Sequence, residues 1–313
     1  MNQDGIVVLG GSGFVGRHVV AKLVSAGYRV VVPTRRREEA KHLILLPTVD
    51  VVEQDVHDPS TLERLFADRA AVINLVGILN ESGREAFDRV HVELTRKVIA
   101  ACHKARVPRL LHMSALGAGA DAPSRYLVSK AAAEAMVAAS GLAWTIFRPS
   151  VIFGREDRFL NMFAGLARML PVIALASPKA RFQPVYVGDV AHCFVRAIND
   201  DVTFGARYDL CGPKVYTLQE LVTYVGEVTG AVRPILKLGP GLSSVMATAL
   251  EHLPGKMLTR DNLKSMRRDN VCDHSFPAVF GLAPTAIETV APSYLSPTAR
   301  RSPFDRYRAE SGR

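Results

Sequence analysis

The chain has 313 residues, enough for one large or two modest domains. Hydrophobic residues make up 48% and charged residues 22%, which excludes a disordered chain. The net charge of +9 suits a basic enzyme surface, an anionic cofactor or an acidic membrane face; with no zinc-finger spacing and no arginine-rich recognition helix, nucleic acid is set aside as a partner.

In chain order, the apolar run Ile6–Leu9 predicts a fully buried parallel strand, and Arg17–Ala26 a helix that stops at Gly27. Between them lies Gly10-Gly11-Ser12-Gly13-Phe14-Val15-Gly16. Gly10 permits the tight turn, Gly13 lets backbone approach a pyrophosphate, and Gly16 lets helix and strand pack closely. The helix N-terminus offers free N–H groups and a positive dipole end to phosphate. A glycine triplet alone is weak; between a strand and a helix it predicts dinucleotide binding.

Tyr28–Val32 reads as a second strand, ending in Arg35-Arg36-Arg37. An acidic residue there would accept from a ribose 2′-OH, whereas Arg accommodates a 2′-phosphate. The expectation is therefore NADP(H) over NAD(H), with Arg35 the first contact and Arg36 beside it; an exposed basic turn is the alternative. Val49–Gln54 is a third strand, after which Asp55 and Val56 face the adenine and Asp58 caps the helix Ser60–Phe66. Ala71–Leu75 is a fourth strand. Leu75, Val76 and Gly77 follow its path to the cofactor, the glycine letting a ligand lie against backbone. Phe87–Arg106 reads as a long helix, Arg109–Met113 as strand five ending at Ser114, Ser124–Ser140 as a helix, and Ala143–Phe147 as strand six. Strands alternating with helices predict an α/β fold, a Rossmann-type doubly wound parallel sheet. Ligands should collect at its carboxyl ends, where Pro149 and Val151 follow strand six.

The catalytic candidates are Tyr126 and Lys130, four apart on one helix face. A Lys beside a Tyr predicts a lowered phenol pKa and proton exchange with a carbonyl or alcohol while hydride moves to or from nicotinamide. An ordinary partly exposed helix pair is the plainer alternative.

With Tyr126 and Lys130, the glycine turn, Arg148-Pro149-Ser150-Val151-Ile152-Phe153-Gly154 and Phe182–Ala191, the chain resembles the short-chain dehydrogenase/reductase superfamily in its extended or atypical branch. Phe153–Asn161, Gln183–Val187 and Ser124-Arg125-Tyr126-Leu127 further resemble the NADPH-binding accessory subunits of respiratory complex I and their bacterial relatives. The resemblance covers about residues 5–290. It implies a smaller C-terminal α/β substrate domain, entered through Phe182–Ala191, and cofactor contacts from Tyr126 and Lys130. The superfamily's catalytic set is Asn, Ser, Tyr and Lys. Here His91 stands at the Asn position, Ala115 and Leu116 stand where the substrate-orienting serine is usual, and Ser114 alone remains as a candidate. Loss of that donor costs about 10²–10³ in rate. Two functions stay open: a protein holding NADP(H) as a tightly bound ligand in a membrane-associated assembly, and an active NADP-dependent oxidoreductase, epimerase or dehydratase acting on a quinone- or lipid-related substrate. A nucleotide-sensing regulator is a weaker third.

The expected division is 1–150 for the nucleotide domain, 151–295 for the smaller substrate or partner domain with interleaving segments, and 296–313 for a flexible basic tail. Asp189 is expected to cap a helix to Ile198, and Tyr208–Cys211 to form a strand. Thr217-Leu218-Gln219-Glu220 forms a capping box for a helix to Thr229. Residues 241–269 read as a basic amphipathic stretch that binds a membrane face or partner, or packs on its own domain. Cys102, Cys193, Cys211 and Cys272 are scattered without CxxC spacing, predicting no disulfide framework, no metal site and a reducing, cytoplasmic compartment; the resemblance to complex I accessory subunits implies peripheral attachment to the cytoplasmic membrane face as an option. No stretch reads as a signal peptide, and every run of 18 apolar residues carries a charge.

Overall fold

Strands that read as unbroken Val/Ile runs must be covered on both faces. A computed structural model describes residues 5–83, 86–253 and 255–297. In it, Gly5–Leu9 (β1) and Val30–Thr34 (β2) are buried at every position. With Val49–Glu53 (β3), Arg69–Asn74 (β4), Arg109–Met113 (β5), Ala143–Pro149 (β6) and Ala206–Leu210 (β7) they form one seven-stranded sheet. Its order is β7-β6-β5-β4-β1-β2-β3, and every neighbouring pair is parallel. The order reverses between β1 and β4, the switch point at which ligands meet such sheets.

Helix α1 (Phe14–Ser25) begins three residues earlier than its apolar spacing suggests, with Gly13 as N-cap. Helix α2 (Pro59–Phe66) is capped as expected, the Asp58 carboxylate accepting from the Ser60 N–H. The long helical stretch after β4 is not uniform. Asp88–Glu93 is a π-helical segment continuing into α3 (Leu94–Ala105), which ends at a left-handed Arg106. Helix α4 (Arg125–Ala138) takes its N-cap from Ser124, whose hydroxyl accepts from the Leu127 N–H. Between these helices and the sheet, Leu9, Phe66, Val72, Leu94, Val98, Leu110 and Ile146 form the core.

The chain divides into two compact units: residues 1–149, 187–210 and 275–282 in the first, 150–186, 211–274 and 283–313 in the second. Two expectations change here. The segment after Tyr186 does not enter the smaller unit; helix α6 (Val187–Arg196) returns to the first unit and packs against α1. Asp189 lies inside its first turn rather than capping it. Strand β7, which follows, closes the sheet beside β6.

The second unit is built on α5 (Phe159–Met169) and α7 (Leu218–Thr229) around Phe153, Leu160, Phe163, Phe182, Leu221 and Val225. The Thr217–Glu220 capping box is present in both directions. Strands Ile173–Leu175 and Ile235–Lys237 pair in parallel, and the latter leads into α8 (Pro240–Glu251) and α9 (Arg260–Ser265). The stretch 241–269 thus contains two helices. The basic tail's residues 298–313 lie outside the described residues.

The cysteine expectation is overturned. Cys211 and Cys272 form a disulfide, with Cα atoms 6.1 Å apart and 61 residues between them in sequence. The hydrogen bonds of Asn270 with Arg181 and Gln183, and of Gly212 with Gln183, draw the two distant segments together. Spacing along the chain carries no trace of that. Cys102 and Cys193 are free and buried, and burial pushes both thiols up, Cys102 to about 12.

Candidate functional site

The glycine turn leaves β1 with Gly10 at φ +76°, a conformation that glycine adopts without strain. A Cβ on Gly10 would stand 3.1 Å from Leu75 C and Val76 N, so this turn and the end of β4 touch backbone to backbone. A Cβ on Gly16 would collide with the Gly10 carbonyl oxygen and the Gly11 backbone. Gly16 therefore serves the turn itself, more than packing against the strand. The helix start at Gly13 has no side-chain cap and α1 has no acid in its first turn. Ser12 and Phe14 are half-buried, Val15 buried and Gly13 exposed. Open backbone, uncapped amides and an unopposed dipole fit a dinucleotide pyrophosphate.

The other predicted contacts sit at neighbouring strand ends. Arg35 and Arg36 are exposed just after β2, with Arg36 3.9 Å from Glu39. Asp55, after β3, is exposed and one carboxylate oxygen accepts from the His57 N–H at 2.9 Å; Val56 is half-buried. After β4, Leu75 and Val76 are tied back by Leu75 N–H to the Leu9 carbonyl and Val76 N–H to Asn74 Oδ1. Gly77 is exposed, and a Cβ there would stand 3.0 Å from Lys130 Nζ and 3.5 Å from His91 Nε2. Pro149 ends β6 in the first unit. Val151 lies in the second, its N–H donating to Asn270 Oδ1 at 2.8 Å.

Behind Gly77 the catalytic candidates meet a closed hydrogen-bond chain. The Ile78 N–H donates to His91 Nε2 at 3.1 Å, which assigns the imidazole proton to Nδ1. Nδ1 then donates to Ser129 Oγ at 2.8 Å, and Ser129 donates to the Tyr126 carbonyl at 2.7 Å. Burial, with the Lys130 charge and His112 adding to it, pushes His91 down to about 2. The π-helical turn is what places His91 here, and such turns recur at functional sites. Sequence reading could align His91 with the family's Asn, but not supply its partners.

Tyr126 packs edge-on to His91 and Phe87, with ring centroids 5.7 and 5.9 Å away. In that setting burial pushes its phenol up to about 12, which corrects the expected lowering. Lys130, 2% exposed, donates to the Met113 carbonyl at 3.1 Å, and burial brings it down to about 8. A lysine held at a backbone carbonyl and losing charge to burial does not offset the desolvation of the phenolate.

The Ser114 hydroxyl, in a residue 2% exposed, makes no hydrogen bond of good geometry but lies close enough to Glu134 to help hold that carboxyl down. Burial pushes Glu134 up. The Arg148 guanidinium bound to it outweighs burial, with Ser114 and Arg207 assisting, and leaves the carboxyl below its ordinary range. His112 was not anticipated. It sits under the site with Nδ1 3.3 Å from Asn74 Nδ2, and burial with the Lys130 charge pushes it down to about 3.

Residues 10–161 match a family described as NAD(P)H-binding. The chain is 34% identical over 265 residues, 81% of its length, to "NADH dehydrogenase [ubiquinone] 1 alpha subcomplex subunit 9, mitochondrial" of Arabidopsis thaliana, covering 65% of that protein. It is 30% identical to a "Ceramide reductase" of Caulobacter vibrioides, over 76% of this chain and 74% of that one. It spans less than two thirds of the length of the subunit 9 and 40 kDa subunit relatives it matches. A UDP-glucose 4-epimerase structure from Thermotoga maritima superposes with a TM-score of 0.73 at 18% identity, covering 96% of this chain and 99% of that one, which supports the fold alone.

Proposed function

The chain belongs to the NAD(P)-binding short-chain dehydrogenase/reductase family, and we propose that it holds NADP(H) as a resident ligand rather than as a coenzyme in turnover. The observation that carries this reading is the state of the polar groups beside Gly77. His91 has both ring nitrogens engaged and Lys130 donates to the Met113 carbonyl. Burial raises the Tyr126 phenol to about 12, which keeps it protonated at neutral pH, a donor rather than an acceptor. A bound nicotinamide would supply hydride chemistry. These residues shape and close its surroundings without a ready proton acceptor.

In this reading the Gly10–Gly16 turn holds the pyrophosphate, Asp55 and Val56 border the adenine, and Leu75–Gly77 with Pro149 border the rest of the dinucleotide. Arg35, with Arg36, binds the 2′-phosphate. Arg35→Ala is expected to weaken NADPH binding by roughly ten- to a hundredfold, through loss of a charge-assisted contact, and NADH binding by less than about twofold. Isothermal titration with both nucleotides checks it; equal weakening of both removes the 2′-phosphate assignment. By its likeness to the alpha-subcomplex subunits, the protein associates with a respiratory assembly at a membrane face. Among the described residues no helix is long and apolar enough to cross a membrane, which suits peripheral attachment.

The second reading is an NADP-dependent reductase, epimerase or dehydratase on a hydrophobic carbonyl or alcohol, favoured by the likeness to a protein named ceramide reductase. Tyr126→Phe separates the two. The resident-ligand reading expects nucleotide content unchanged within about twofold and no turnover to lose, since only the hydroxyl is removed. NADPH oxidation with a quinone or lipid ketone, abolished by Tyr126→Phe, would favour the second.

A further inference from the structure

Helix α8 buries two small residues, half-buries Met246 and Leu250, and leaves Leu242 and Val245 exposed. Ser243 and Ala247, 4% and 0% exposed, are its buried positions, four apart on one face. Leu242 is 64% exposed and Val245 67%; Ala249 is exposed beside them and Leu253, one turn on, is 54% exposed. These four recur at helical spacing on a different face. Leu236 on the preceding strand and Met257 on the following turn are exposed too. From Gly239 to Leu250 there is no charged residue.

The surroundings are basic. Between residues 233 and 268, seven Lys and Arg stand against two acids, Glu251 and Asp261. Glu251 is already paired with Arg260 at 3.1 Å. Lys237 lies just before α8, and Lys264 and Arg267 lie in and just after α9, which packs against it; all three are exposed. An exposed contiguous apolar face in a folded unit marks an interaction surface. An uncharged apolar helix face bordered by cations has the chemistry of an interfacial helix: apolar side chains enter the headgroup–acyl boundary, and cations meet lipid phosphates.

We infer that α8 docks the protein on an anionic bilayer, with Leu242, Val245 and Leu253 inserted and Lys237, Lys264 and Arg267 on the lipid phosphates. This surface lies wholly within the second unit and stands whether or not the nucleotide reading does.

The test is flotation of the full chain with vesicles of phosphatidylcholine alone and with roughly one third phosphatidylglycerol. Binding to the anionic vesicles is expected to exceed binding to neutral ones by about tenfold and to fall as salt rises. The double variant Leu242→Asp/Val245→Asp should bind anionic vesicles about tenfold less or weaker, with unchanged Tm and nucleotide content, because its altered positions are solvent-facing. Lys264→Glu/Arg267→Glu should also lose about tenfold. Absence of vesicle binding by the parent chain overturns the inference, as does undiminished binding by the Asp variant or equal binding to both vesicle types. A concentration-dependent dimer that the Asp variant abolishes, in a chain that ignores vesicles, also overturns it and gives the face to a second copy.

Discussion

Lowering the pH from 7 to 5 is expected to destabilise the first unit by about 4 kcal/mol through two histidines alone, about 2 kcal/mol from each. His91 and His112, each 2% exposed, are pushed down from 6.5 to about 2 and about 3, in both cases chiefly by burial. The folded protein keeps both rings neutral, whereas the unfolded chain protonates them below 6.5. The contribution is therefore full above 6.5 and is lost progressively as pH falls toward the folded values. Trp144, the only tryptophan, lies in β6 and reports on this unit during denaturant unfolding. His91→Asn should recover about 2 kcal/mol of the loss at pH 5, since a neutral amide has no proton to gain. An acid sensitivity that is identical in His91→Asn and in the parent chain would mean the ring is not held neutral by the Ile78–His91–Ser129 chain.

Arg109→Met should lower the stability of the same unit by about 3–5 kcal/mol, and the Tm by roughly 10 °C. Arg109 is 4% exposed, and burial lowers it to about 10, so it stays cationic at neutral pH. Its guanidinium donates to the carbonyls of Ala143, Ala197 and Ile198 and to the hydroxyls of Thr145 and Thr203, and it stacks 4.3 Å from the Phe204 ring centroid. It thereby joins the amino ends of β5 and β6 to the turn between α6 and β7. Methionine fills much of the volume but leaves several buried acceptors without donors. A loss below about 1 kcal/mol in a denaturant titration would show that these groups find other partners or water.

The Rossmann sheet was legible because its central strands β1, β2 and β4 carry apolar runs bounded by turn residues. Burial on both faces demands that composition, and the glycine turn after β1 fixes the strand-to-helix geometry. Asp58 and the Thr217–Glu220 box were legible for a similar reason, since capping is a local hydrogen bond between residues two or three apart. What stayed hidden depends on distant partners. The Cys211–Cys272 disulfide follows from how Gln183, Gly212 and Asn270 bind one another across three segments. The return of Val187–Arg196 to α1 is a matter of chain path, on which its own amphipathic pattern is silent. The proton affinity of Tyr126 is not legible from its spacing to Lys130, because the lysine reaches the Met113 carbonyl and the Phe87 and His91 rings pack against the tyrosine. The apolar positions of α8 were visible in the sequence, but periodicity cannot say that a helix faces its apolar side outward.

The central claim is that NADP(H) resides in this protein. The most direct measurement is to purify the chain without added nucleotide, denature it, and identify and quantify what is released by mass spectrometry. The account predicts NADP(H) in near-stoichiometric amount, retained through purification and reduced in the Arg35→Ala variant. A protein that emerges empty and binds NADPH only weakly and reversibly, or that carries NAD(H) instead, would contradict it.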